Sequence, residues 1–150
     1  MPVEPREEQY ISIYAGERLI ADRVAYCDTR QSRGRGLIGR KTLAEGEGLL
    51  MVLPPYQQGR RHLWVSIHML FVPFPLAAAW LDERGKVAYA RLALPWRPYY
   101  SSPHPAWYTL ELHPRWLDCL RPGVQVYCDR PGERGSALFS ALPREPSGRM

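Results

Sequence analysis

The sequence predicts an α+β fold that is mainly antiparallel β, a compact β-barrel-like sheet with one or two short helices. Fifteen prolines and twelve glycines in 150 residues favour many short elements joined by turns. Several short segments alternate apolar and polar residues with the period of two that strands require. The length suits one domain, which we place at residues 10–128, between an N-terminal lead (1–9) and a C-terminal tail (129–150) that we expect to be mobile.

The first half of the chain predicts a hairpin, a helix and a buried strand. Residues 10–14 (YISIY) alternate, and residues 19–26 return after a turn as the second strand. The polar and basic residues 28–41 predict a loop leading into a glycine-weakened helix, with Asp28 or Thr29 as its cap. Residues 49–53 (LLMVL) form an apolar run that two prolines end, which predicts a buried strand.

Residues 63–81 (LWVSIHMLFVPFPLAAAWL) carry no formal charge and reach the length of a transmembrane helix. Pro73 and Pro75 stand at the centre of this stretch. Each proline removes a backbone donor and pushes its predecessor towards extended geometry, so the helix would break in two. The remaining pieces, 63–72 and 74–81, are too short to span a bilayer. We therefore expect two buried β segments, and a protein that does not span the membrane.

The second half predicts a further hairpin, a long loop, a strand, a short helix and a last strand. In residues 81–87 (LDERGKV), Asp82 is expected to accept backbone N–H bonds and Gly85 to take a left-handed conformation. A strand returns over residues 87–94. The loop covers residues 95–105. A strand is expected at residues 107–112 (WYTLEL), a short helix at residues 115–120 behind a proline at the first helical position, and a last strand at residues 124–127.

The basic residues are almost all arginine. Net charge is +5, and only two of the twenty basic residues are lysines. Arginine makes flat, bidentate contacts with carboxylate and phosphate, so an anionic ligand or RNA is one interpretation. A solvated surface in a protein from a GC-rich genome is the other. The acidic N-terminus lacks the pattern of a secretory signal, so we expect a cytoplasmic protein.

No cofactor and no metal site is predicted. Residues 34–39 (GRGLIG) match G-x-G-x-x-G, but a dinucleotide site needs these glycines directly after a strand and an acidic residue about twenty positions on. Residues 27–33 separate the strand from the glycines, and two prolines stand where the acid should be. The four histidines lack metal-ligand spacing, and the three cysteines contain no CxxC.

Five motifs in order resemble those of the bacterial and archaeal family called domain of unknown function 192. Residues 35–40 (RGLIGR) resemble its R-G-L-M-x-R segment, and residues 67–82 resemble its I-H-T-x-x-M-x-F-P-I-D-x-x-F-L-D segment. Residues 95–97 (PWR), 108–112 (YTLEL) and 121–123 (RPG) resemble P-W-R, Y-x-L-E-L and K-P-G-D. The resemblance covers residues 10 to 128 and implies a compact, antiparallel β-rich domain, with no activity established for the family.

The chain departs from these motifs at four positions. The aspartate of F-P-I-D is Ala77, the threonine after the histidine is Met69, the methionine of R-G-L-M is Ile38 and the aspartate of K-P-G-D is Val124. If family members use the F-P-I-D carboxylate in chemistry, this chain has lost it. The departure favours a protein kept for binding or assembly.

We therefore predict a non-catalytic binding or assembly module for an anionic ligand or a protein partner. The expected site lies where His68, Trp96, Arg97, Arg35 and Arg40 converge, with the arginines contacting an anion and Trp96 as a stacking wall. Two alternatives stay open. One is nucleic-acid binding through an arginine and aromatic face. The other is a small hydrolase or transferase with His68 as base, which requires a carboxylate within hydrogen-bond reach. His68 would otherwise be a neutral core residue.

Overall fold

A computed structural model describes residues 10–29, 33 and 36–129 of the chain. Among these residues, most regular structure is β-strand. The strands are β1 (Tyr10–Ala15), β2 (Arg18–Cys27), β3 (Glu47–Val52), β4 (Leu76–Leu81), β5 (Val87–Ala93), β6 (Tyr108–Leu112) and β7 (Val126–Cys128). Two 3₁₀-helices cover His62–Val65 and Pro114–Cys119.

The seven strands form one mixed sheet in the order β5-β4-β6-β3-β2-β1-β7. Neighbouring strands are antiparallel except β2 and β3, which run parallel. Val87 donates its N–H to the Val124 carbonyl, and Val126 donates to the Gly85 carbonyl, so the sheet curls until its two outer strands meet at one end. The β-rich fold is confirmed. The α+β label is confirmed only in part, because the helices among the described residues are short 3₁₀ segments.

The curled sheet is buried on its inner face and, over its three central strands β4, β6 and β3, on its outer face as well. Its inner face forms one core, to which the strands contribute alternate residues, for example Ile13, Leu50 and Leu110. The outer face of β3, β6 and β4 lies beneath three covering segments, residues 36–43, 53–72 and 95–107, which form a second core with it. Two of these segments pair with each other through bridges between Ile67 and Tyr100 and between Arg60 and Ala106.

Strand β4 (LAAAWL) is buried along its whole length. Ala77, Ala79 and Leu81 enter the inner core, whereas Leu76, Ala78 and Trp80 enter the outer one. Successive residues of a strand point to opposite faces. A strand that is covered on both faces therefore has a continuous run of apolar residues in its sequence. The Trp80 indole N–H donates to the Val65 carbonyl at 2.5 Å, which fastens a covering segment to the sheet.

Residues 63–72, predicted as a buried β segment, do not form a strand. They contain most of the first 3₁₀-helix, a single bridge at Ile67 and a turn at Leu70 and Phe71. The two edges of β4 are already paired with β5 and β6, so the segment that precedes β4 has no strand edge beside it to join. It lies across the outer face instead. In the described part of the chain, no helix is long and apolar enough to cross a membrane.

The remaining strands and the turn of the second hairpin agree with the predictions, with shifts of one or two residues at the strand ends. In the second hairpin Asp82 Oδ1 accepts the N–H groups of Arg84 at 2.8 Å and Lys86 at 2.9 Å, and Gly85 has φ 80°. The helix predicted at 115–120 begins at Pro114 but is 3₁₀. Of the helix predicted within 28–41, residues 30–32, 34 and 35 lie outside the described residues, and 36–39 form a turn.

Candidate functional site

A pocket of about 310 Å³ opens between the outer face of the sheet and the covering segments. Strands β3, β4 and β6 supply its floor with Met51, Leu76, Thr109 and Glu111. Its walls combine polar residues (Arg33, Gln57, Ser66 and His68) with apolar ones (Leu37, Ile38, Leu53, Leu63, Trp64, Ile67, Met69 and Val72). A concave pocket of this size that combines apolar walls with convergent polar groups is typical of a small-molecule site.

Glu111 is the most unusual residue of this pocket. It lies on the central strand β6, paired with Leu49 on one side and Ala78 on the other. Its exposed fraction is 8%, and no described residue forms a hydrogen bond or ion pair with its carboxyl group. Burial disfavours the charged form and raises the pKa of Glu111 from 4.5 to about 7. Near neutral pH the carboxyl group is therefore divided between its two protonation states.

Thr109 adds a second unsatisfied polar group two residues earlier, on the same face of β6. Its hydroxyl oxygen is buried and has no hydrogen-bond partner. Folded proteins satisfy about 90% or more of their buried polar atoms, so this exception beside an unpaired carboxyl group needs an explanation. Both groups can bond to a ligand that enters the cavity.

The alternation of β6 (YTLEL) determines this arrangement. Tyr108, Leu110 and Leu112 pack into or against the inner core, which leaves Thr109 and Glu111 on the outer face. Strand β3 approaches β6 closely because residue 48 is glycine. A Cβ atom there would lie 2.5 Å from Leu112 Cδ2 and closer still to the Glu111 carbonyl oxygen.

Neither Glu111 nor Thr109 was predicted from the sequence as a site residue. Both residues stand in the motif YTLEL, which served there only as part of a family resemblance. The sequence of β6 did contain an indication of the site. An acidic residue on the polar side of a strand is common only when that side faces water. In this fold the neighbouring strands are the apolar runs EGLLMV and LAAAWL, so the polar side of β6 is buried.

His68 lines the pocket but is exposed, so its interpretation as a core residue is wrong. The next residue, Met69, donates its N–H to the Arg97 carbonyl at 3.0 Å and accepts the Trp96 N–H at 2.9 Å. The structure thereby places His68 next to Trp96 and Arg97 along adjacent segments. Both of these side chains are exposed, and the Trp96 ring meets Phe71 edge-on with 5.7 Å between centroids.

Arg40 is engaged elsewhere. Its guanidinium group lies 2.5 Å from Glu47 Oε2 at the start of β3. Glu47 Oε1 accepts the Ala44 N–H at 2.9 Å. This hydrogen bond, and to a smaller extent the contact with Arg40, lowers the pKa of Glu47. Arg35, the fifth predicted site residue, lies outside the described residues.

The described residues contain no group of three histidine, cysteine or acidic side chains that could hold a metal ion. Within the same ranges, no hydrogen bond or ion pair joins His68 to a carboxylate. Ser66, the pocket hydroxyl nearest to His68 in sequence, donates to the Leu63 carbonyl. The pocket therefore lacks a base–carboxylate pair centred on His68 among these residues.

Comparisons with known proteins identify relatives of unknown activity. A family model described as Uncharacterized ACR, domain of unknown function 192, matches residues 12–127. None of the curated proteins matches the chain. A crystal structure of a protein of unknown function from Novosphingobium aromaticivorans is similar, with a TM-score of 0.66, 18% identity, and coverage of 84% of this chain and 89% of that chain.

A second similar crystal structure comes from Sinorhizobium meliloti, from a protein named as a candidate transcription regulator. Its TM-score is 0.65 at 20% identity, and the match covers 81% of this chain and 94% of that chain. At these identities the two structures show a shared fold.

Proposed function

We propose that this chain, which belongs to the domain of unknown function 192 family, is a non-catalytic binding module whose ligand occupies the pocket above Glu111. One observation carries the proposal: Glu111 and Thr109 are buried on the same face of β6, at the floor of the cavity, and neither side chain has a partner among the described residues. Each unsatisfied polar group costs about 1–3 kcal/mol. A ligand that bonds both groups would recover this free energy.

The size and walls of the pocket limit the ligand. A volume of about 310 Å³ lies at the lower end of the range of roughly 300–1,000 Å³ for small-molecule sites. The walls near the floor are aliphatic or thioether side chains, Leu53, Ile67, Met69 and Val72. These dimensions suit one small organic molecule, or one end group of a larger molecule, with an apolar body and a polar head.

The proposed ligand site lies over Glu111 and differs from the arginine-lined site predicted from the sequence. An arginine cluster would favour an anion, but Arg40 pairs with Glu47, and the Arg33 guanidinium donates to the carbonyl groups of Asp28 and Val52. The acid at the pocket floor disfavours an anionic head group. The binding module remains our proposal, and its ligand is placed over Glu111.

A catalytic role for His68 has less support. Histidine acts as a base when a second group orients it and substrate lies within reach. Among the described residues no carboxylate bonds to His68, and the side chain lies exposed at the rim. The binding role needs only the floor and walls of the pocket.

Nucleic-acid binding is a second candidate, favoured by exposed aromatic side chains beside arginines. Trp64, Trp96 and Tyr99 are each more than half exposed, and the Arg60 guanidinium lies 5.3 Å from the centroid of the Trp64 ring. Arginine with aromatic surfaces can stack on bases. This role requires binding of single-stranded RNA that weakens steeply with salt in a mobility-shift assay. Absent or salt-independent binding would remove it.

The proposed pocket is tested by filling it. Met51→Trp places a large ring on the half-buried floor, whereas Leu92→Trp makes a similar change on an exposed position of β5 outside the pocket. Small organic fragments are added to ¹⁵N-labelled protein, and amide shifts are followed by NMR. The same spectra verify that each variant is folded.

We expect fragments to shift the amide signals of Thr109 and Glu111 in the unmodified protein and in Leu92→Trp, but not in Met51→Trp. Fragments that bind equally well to a folded Met51→Trp variant would show that they bind elsewhere. If no fragment shifts these signals in the unmodified protein, the pocket is not a binding site.

A further inference from the structure

Resting on the proposed function, we infer that the pocket takes a cationic ligand, an organic ammonium compound. Its charged head would pair with the Glu111 carboxylate and bond the Thr109 hydroxyl, while its apolar body lies against the pocket walls. Three features of the pocket support it.

The first feature is the absence of a counter-charge. The ion pairs between described residues join Arg40 to Glu47 and Arg115 to Glu45, and neither involves Glu111. A buried carboxylate without a cation is costly, and a ligand that brings the cation removes that cost.

The second feature is the pattern of donors and acceptors at the floor. An ionised carboxylate only accepts hydrogen bonds, and a threonine hydroxyl accepts them as well as donating one. An ammonium group carries three donors and no acceptor. It can donate to both Glu111 and Thr109 and keep a third N–H for the polar side chains Gln57 or Ser66, which also line the pocket. A carboxylate ligand could not approach the floor unless Glu111 first took up a proton.

The third feature is the absence of charge on the strand neighbours of Glu111. The cross-strand neighbours of Glu111 are Leu49 on β3 and Ala78 on β4, and neither carries charge. Among the described residues, the other titratable side chains lining the pocket are Arg33, which precedes the covering segments, and the exposed His68. Arg33 directs its NH1 group at two backbone carbonyls. Glu111 is thus the dominant charge at the floor whenever it is ionised.

These features predict a linked proton equilibrium. In the free protein, burial raises the pKa of Glu111 to about 7, and a bound cation lowers it, because an opposite charge favours the ionised form. Binding of an ammonium ligand therefore releases a proton near neutral pH, and its affinity rises with pH until Glu111 is fully ionised. A neutral ligand of the same shape lacks this dependence.

The experiment compares three probes with the same aromatic body: 3-phenylpropylammonium, 3-phenylpropanol and 3-phenylpropanoate. Each is titrated into the full chain at pH 5.5 and pH 8.0, and affinity is read from the amide shifts of Thr109 and Glu111. Calorimetry of the ammonium probe in buffers of different ionisation enthalpy counts the released protons. Glu111→Gln removes the charge, and Glu83→Gln makes the same change in an exposed turn.

We expect the ammonium probe to bind about tenfold more tightly than the alcohol at pH 8.0, as a charge-assisted hydrogen bond predicts. The preference should shrink at pH 5.5 and in Glu111→Gln, and persist in Glu83→Gln. If the alcohol or the carboxylate shifts the pocket signals and the ammonium probe binds no better, or if its preference survives Glu111→Gln, the ligand class is overturned and the binding pocket stands. If none of the probes shifts these signals, both proposals fail.

Discussion

Replacing Glu111 with glutamine removes the one acidic side chain that is buried among the described residues. The substitution keeps the shape of the side chain and its place on β6. It abolishes the titration of a carboxyl group whose pKa is about 7 in the folded protein and 4.5 when exposed. Since one pKa unit corresponds to about 1.36 kcal/mol, charging Glu111 in the ligand-free fold costs about 3 kcal/mol.

The sign of the effect follows from where the proton is held. Between pH 4.5 and about 7 the folded protein keeps a proton on Glu111 that the unfolded chain has released. The folded state therefore binds more protons, and the free energy of unfolding falls as pH rises through this window. Below pH 4.5 Glu111 contributes no pH dependence, and above about pH 7 the full destabilisation is present. Glutamine does not titrate, so the variant escapes this loss.

Urea denaturation at pH 4.0, 5.5, 7.0 and 8.5 measures the difference. The free energy of unfolding of Glu111→Gln should gain about 3 kcal/mol relative to the unmodified protein between the lowest and the highest pH. Glu83→Gln, in an exposed turn, corrects for the general effect of removing one negative charge. If the curves for Glu111→Gln and the unmodified protein run parallel over the whole range, Glu111 is not a buried, unpaired carboxyl group.

Three further substitutions test the packing around the pocket, each by the urea midpoint at constant pH. Thr109→Val replaces an unsatisfied buried hydroxyl with a methyl group and should stabilise the protein by about 1 kcal/mol; a loss of stability would mean that the hydroxyl has a partner. Trp80→Phe removes the N–H that donates to the Val65 carbonyl and should lower the free energy of unfolding by about 2–3 kcal/mol. An unchanged midpoint would contradict this expectation. Gly48→Ala forces a methyl group against the Glu111 carbonyl oxygen and should cost about 1–3 kcal/mol, and a neutral result would contradict the close approach of β3 to β6.

Local chemistry was sufficient to predict several elements from the sequence. The turn at Asp82 and Gly85 depends on one side chain that accepts nearby N–H groups and one residue that tolerates positive φ, and both properties belong to those residues themselves. The apolar run before this turn likewise predicts a strand buried on both faces, which is β4. Such features need no knowledge of the rest of the chain.

Features that depend on distant partners could not be predicted in the same way. The parallel pairing of β2 with β3 depends on where the intervening segment runs. Residues 63–72 have the composition of a buried strand, but the edges of β4 are occupied by strands that follow in sequence. The pocket joins residues 33 and 36–38 with residues of the segments 51–57, 63–76 and 109–111, and no local pattern predicts that these meet.

The position of Ala77 shows why a motif needs the fold before it can be interpreted. In the sequence, alanine at the aspartate position of F-P-I-D suggested that a functional acid had been lost. In the structure, Ala77 is fully buried in the inner core, whereas the next residue, Ala78, is the one that pairs with Glu111 on the outer face. Because neighbouring residues of a strand point to opposite faces, a carboxyl group at position 77 would point away from the pocket. The absence of that aspartate therefore does not remove an acid from the pocket, whose floor carries the carboxyl group of Glu111 instead.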